Sequence, residues 1–138
     1  MDAPSATELQ ANPVVQAAFA AAWADSFPDD PTLRHEEGGY IYVNAITGEV
    51  IIRRVQPGGR DVLDLSVPTE LPDCFVVATY HTHPNPTAVG WDPEPSEVDR
   101  QVSSDSGVPW FVISDLGVYV AGPDRRVGGF NGSPGYPR

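Results

Sequence analysis

Residues 74–84 read CFVVATYHTHP. Their first part is rich in β-branched and aromatic side chains, which suit a pleated, half-buried strand. Side chains alternate faces along a strand, so His81 and His83 project to one side and Thr82 to the other. Two imidazoles on one face at a strand end can ligate a single ion, and neutral imidazole suits zinc. Pro84 has no N–H with which to continue the ladder, so the strand stops there and leaves the pair at the mouth of a sheet. His-x-His alone is balanced between a metal site and a chance pair of exposed histidines.

A catalytic zinc with an open position needs a third protein ligand. Downstream, Ser96-Glu97-Val98-Asp99 offers Asp99. Ser-x-x-Asp at a helix start is also a capping box, a purely structural device. The two readings are partly compatible, because an N-cap at Ser96 puts Asp99 in the first turn, aimed back toward the strand end. Other zinc chemistries fit poorly. A nucleobase deaminase needs a pair of cysteines, and Cys74 stands alone. The zincin pattern fails because His35-Glu36 is followed by Gly39 where its second histidine belongs. A zinc hydrolase also needs a proton shuttle. Glu36 and Glu37, just before Gly38-Gly39-Tyr40, are available, although their bland reading is as solvated charges at a strand entrance.

Outward from this stretch, Asn12-Pro13 opens a helix with an N-cap and a proline at the first position. It runs through VVQAAFAAAWADSF, with Val14, Ala18 and Ala21 or Ala22 at helical spacing and Phe19 four before Trp23. PDDP at 28–31 ends it. Residues 39–55 read as a hairpin, and 61–67 as a short extended segment. A short helix follows Ser96, and PWFVIS with GVYVAG makes a closing hairpin around Asp115-Leu116. The expected organisation is a flexible leader at 1–11, one domain at 12–125 and a flexible tail at 126–138. That order of elements points to the α/β class, a mixed β-sheet flanked by helices.

With 138 residues the chain has the length of one domain. Its net charge of −11 argues against nucleic acid or an anionic membrane as partner, since both require basic surface. The single Cys74 rules out an internal disulfide. No stretch is apolar enough to span a bilayer and none reads as a signal peptide, so a soluble domain, cytoplasmic or delivered as a secreted effector, is expected.

The pieces EEGGYIYV, HTHP and SEVD, in this order, resemble the JAMM (JAB/MPN) metallopeptidases over residues 35–121. EGGYIY, the Pro-rich loop and the closing hairpin look most like compact bacterial versions, including effector domains of polymorphic toxins. The resemblance implies a JAB/MPN-like (cytidine-deaminase-like) architecture with Zn2+ held by His81, His83 and Asp99. It implies that Glu36 holds a water, takes its proton and returns it to the leaving amine, and that Ser96 donates to the oxyanion. The family spacing of Glu, two residues, Gly favours Glu36 through Gly39, but Gly38 would serve Glu37, and that choice stays open. The substrate it implies is a peptide or isopeptide bond in a peptide or protein, often near a ubiquitin-like C-terminus. A toxin effector would also have a cognate immunity protein. Two alternatives stand beside this: a catalytically silent JAMM-like binding module, and a toxin domain acting on a non-peptide target.

Twelve residues separate His83 from Ser96, more than the common family interval, so the loop around Trp91 must bulge outward. Trp91 is either a wall for substrate or a small satellite core. His35 is an extra ligand, a partner of the site or an ordinary surface histidine. Strict alternation puts Cys74 on the face opposite the imidazole pair, as a packed thiol.

Overall fold

Asn12 accepts the backbone N–H groups of Val14 and Val15 on its side-chain oxygen, and Pro13 fills the first position of the longest helix. The computed structural model describes residues 3–59, 63–65, 68–86, 96–122 and 127–129. In chain order its elements are α1 (Ala6–Ala11), α2 (Pro13–Asp25), β1 (Gly38–Asn44), β2 (Val50–Arg54), β3 (Cys74–Thr82), α3 (Glu97–Ser106), β4 (Trp110–Ser114), β5 (Gly117–Ala121) and β6 (Val127–Gly129). The six strands form one sheet in the order β2-β1-β3-β4-β5-β6. The β3–β4 pair is parallel and every other pair is antiparallel. The expected mixed sheet with flanking helices is what forms. A parallel pair needs a crossover between its strands, and α3 lies on that crossover.

Four expectations about the elements are corrected. Residues 1–11 are not all leader, because Ser5 and Glu8 form a reciprocal capping box that starts α1. Leu9 then joins the main core. At barely two turns, α1 is too short to show a hydrophobic period in the sequence. In α2 the buried stripe is Val15, Phe19, Ala22 and Trp23, while Val14 is 49% exposed. The two large aromatic rings, four apart, set the helix rotation, and the small alanines follow. Within the expected tail, Val127–Gly129 pairs with β5 as an edge strand. Of the extended segment expected at 61–67, residues 63–65 are described and form no strand.

Helices α1 and α2 cover one face of the sheet. There Phe19 sits between Tyr80 and Phe111, with ring centroids 5.3 and 5.1 Å away, amid Ile41, Val77, Ala78 and Ile113. The opposite face carries a smaller cluster around Tyr40, Tyr42 and Leu65. Helix α3 approaches β4 and β5 through Ser103, whose hydroxyl bridges the carbonyl oxygens of Val108 and Ala121 at 2.7 and 2.9 Å.

The register between β1 and β3 shifts after Ile41: Ile41 faces Ala78, but Tyr42 faces Val76. Val77 is the additional residue of a β-bulge, and it breaks the alternation of faces. Cys74 therefore lies on the side of Tyr42, Val76 and Trp110, the same face as His81, rather than opposite to it. Seven residues of strand still hold the thiol roughly 23 Å from His81, so the two do not pair, and Cys74 packs as a small apolar group.

Candidate metal centre

The site begins where β3 ends. His81 is the last residue but one of the strand, and His83 follows it, its N–H bonded to the carbonyl of Ile113 at 2.7 Å. Thr82 turns to the other face. Its hydroxyl lies 2.6 Å from that of Ser26 at the end of α2 and accepts the backbone N–H of Glu37 at 3.0 Å. The alternation read from the sequence holds here, and both imidazoles face away from α2.

Asp99 reaches the pair from α3. Ser96 caps that helix: its Oγ accepts the Asp99 N–H at 3.1 Å, and its own N–H donates to Asp99 Oδ2 at 2.8 Å. The capping box forms, and it brings the Asp99 carboxylate to the imidazole pair. The backbone bond clamps the carboxylate so that Oδ1 lies 3.3 Å from His81 Nε2 and Oδ2 lies 3.5 Å from His83 Nε2. The two Nε2 atoms are 3.2 Å apart.

These separations test whether the residues fit a metal. Donors about 2.0–2.1 Å from a tetrahedral zinc stand about 3.3–3.4 Å from each other. Two imidazole nitrogens and one carboxylate oxygen at 3.2–3.5 Å match that triangle, and the donor set is one zinc accepts. Among the described residues His81, His83 and Asp99 form a group able to hold an ion. Burial opposes charge on Asp99, but hydrogen bonds from His81 and His83, the His81 charge and the Ser96 N–H outweigh it and hold the carboxyl far below its usual range. Burial likewise opposes charge on His81, yet Asp99, followed by Glu36, raises its affinity for a proton. The remaining ring nitrogen, His81 Nδ1, is buried without a hydrogen-bond partner among the described residues.

Glu36 and Glu37 are not solvated charges: both are buried. Close approach of strands places them. A Cβ on Gly38 would sit 2.2 Å from the carbonyl oxygen of Tyr80, and one on Gly39 would sit 2.2 Å from that of Arg53. Only glycine lets β1 fit between β2 and β3 here, with Gly38 opposite His81. The negative charge of Glu36 is felt at His81. Glu37 is committed elsewhere, with one carboxylate oxygen 2.5 Å from Arg54 Nη2 and the other 2.5 Å from His35 Nε2. His35 is accordingly a half-buried partner of Glu37 and neither a metal ligand nor an ordinary surface residue. Arg54 and Thr82 escaped sequence reasoning. Neither residue carried a sequence signal: Arg54 ends the run Val-Ile-Ile-Arg-Arg beside a second arginine, and Thr82 is an ordinary strand residue. Ser96 is exposed at the helix start. Trp91 lies outside the described residues.

Residues 12–127 match the family of prokaryotic homologs of the JAB domain. The chain belongs to that family, as a compact bacterial JAB-like domain. Comparison with curated proteins gives no match. A similar solved structure is the solution structure of a protein from Salinibacter ruber, 16% identical, with a TM-score of 0.45 over 92% of this chain and 94% of that one. No helix among the described residues is long and apolar enough to cross a membrane.

Proposed function

We propose that this domain is a zinc-dependent hydrolase that cuts a peptide or isopeptide bond. The observation that carries the proposal is the triangle of donor atoms on His81, His83 and Asp99 at 3.2–3.5 Å, built by a strand end and a capped helix. A zinc ion held there would acidify a water and polarise the scissile carbonyl.

The chain's own groups do the rest. Glu36 takes a proton from the attacking water as its oxygen bonds to the carbonyl carbon, then delivers that proton to the amine nitrogen as the C–N bond breaks. Its burial beside His81 and the engagement of Glu37 with Arg54 and His35 favour Glu36 for the role. Ser96 Oγ accepts from the Asp99 N–H, and its own proton is the one assigned to the oxyanion. The partner is then a peptide or protein chain. If the domain works as a toxin effector, an inhibitor protein joins it.

The direct test is cleavage of a panel of peptides and ubiquitin-like conjugates by zinc-loaded protein and by Glu36→Gln. Turnover lost in Glu36→Gln with zinc retained supports the proposal. Zinc binding with no cleavage of any substrate would instead favour a silent binding module.

A further inference from the structure

Beside the metal centre a cleft of about 680 Å3 opens between α3 and the sheet face that carries His81. That volume lies within the range of sites that take small molecules or side chains. Asp99 lines both the cleft and the donor triangle, and Trp110, on the far wall, stacks edge-on against His81 at 6.3 Å. Helix α3 turns Val98 and Val102 toward this space rather than into a core, and Val98 is left 69% exposed. An apolar helix face that packs into no core among the described residues is a surface suited to a partner.

The polar groups of the cleft narrow the partner's chemistry. Tyr40 and Thr79, neighbours across β1 and β3, both line it and are 4% and 3% exposed. Neither hydroxyl has a hydrogen-bond partner among the described residues, which is costly for buried polar atoms. Besides Asp99, carboxylates of Asp64 and Asp105 line the cleft, and no described lining residue is cationic. Burial first, then the Asp64 charge, push the Tyr40 phenol upward, so the carboxylate is felt at the hydroxyl. An aliphatic guest would leave both hydroxyls unpaired, and an acidic one would meet the carboxylates of Asp64 and Asp105. A long apolar stem ending in a cation satisfies every wall: the stem packs on Val98, Val102 and Trp110, and the head donates to the hydroxyl oxygens among the carboxylates.

We infer that this cleft selects the substrate by taking an arginine-like cationic side chain adjacent to the bond that is cut. Its role as a substrate pocket rests on the proposed hydrolase activity, whereas its occupancy does not.

The test uses zinc-loaded full chain titrated with N-acetyl-argininamide and, separately, with N-acetyl-norleucinamide, which keeps the stem and lacks the charge. Binding is followed by amide and indole N–H shifts of Thr79, Val102 and Trp110. Saturable argininamide shifts at these residues, at least tenfold weaker binding of norleucinamide, and at least threefold loss in Asp64→Asn or Tyr40→Phe support the inference. Asp64 is exposed, and urea unfolding of Asp64→Asn is measured beside its binding so that a folding loss is told apart from a binding loss. Equal or tighter norleucinamide binding overturns the cation, and shifts confined to other acidic surface overturn the site. Failure to cleave any peptide, with the argininamide shifts intact, removes the hydrolase proposal and leaves the pocket standing.

Discussion

The Thr82 hydroxyl accepts the backbone N–H of Glu37 at 3.0 Å while lying 2.6 Å from Ser26 Oγ. The residue between His81 and His83 thus anchors the segment that carries Glu36, and α2 anchors both. Thr82→Val keeps the shape and leaves the buried Glu37 N–H unpaired, at a cost of about 1–3 kcal/mol. Urea unfolding should show that loss. Turnover per folded molecule should fall as well, because the entrance of β1 is no longer fixed against β3.

Glu37→Gln is the second test. From the sequence its effect is expected to be mild, but the carboxylate is buried between Arg54 and His35. Removing one partner of a buried pair is costly, and with Arg54 part-exposed a loss of about 2–3 kcal/mol is expected. Zinc content should stay unchanged. Glu36→Gln should show the opposite pattern, with stability near wild type and turnover abolished. Exchange of the two outcomes would move the proton shuttle to Glu37.

His35 supplies a pH dependence with a defined sign. Burial opposes its charge, but bonds to the Leu33 carbonyl and to Glu37 prevail and raise its proton affinity in the folded protein. A raised folded value contributes stability that is complete below the unfolded value of about 6.5 and fades as pH climbs above it. Metal-free wild type minus His35→Gln, compared by urea unfolding between pH 5.5 and 8.5, should therefore shrink as pH rises. A difference that grows with pH would contradict the His35–Glu37 pairing.

Ser96 caps α3, and one substitution pair tests the oxyanion role proposed for it. As a cap alone, Ser96→Ala costs about 1 kcal/mol and leaves turnover per folded molecule intact. As an oxyanion donor, its loss lowers kcat by about 100-fold or more. Ser96→Asp caps equally well but offers no proton when ionised, so a stable, zinc-loaded and inactive protein is expected. An active Ser96→Asp would leave Ser96 as a cap only.

Much of this architecture is legible in the sequence because its signals are local. Alternation through Tyr80-His81-Thr82-His83 placed the imidazoles correctly, and Asn12-Pro13 marked the start of α2. The same alternation misplaced Cys74, because the bulge at Val77 depends on how β1 pairs with β3. The burial of Glu36 and Glu37 was hidden for a related reason: it follows from Gly38 and Gly39 letting three strands crowd together. Ser5-Ala6-Thr7-Glu8 carried a capping box, but α1 gains its place from Leu9 meeting the core, which no short window displays.

Metal content tests the central assignment most directly. Protein purified without chelator and measured by elemental analysis should hold close to one zinc per chain, and His81→Ala or Asp99→Ala should hold almost none. Chelation should lower the wild-type Tm, since bound metal stabilises only the folded chain. Wild-type protein that carries no zinc and takes up none on titration would contradict the assignment of His81, His83 and Asp99 as its ligands.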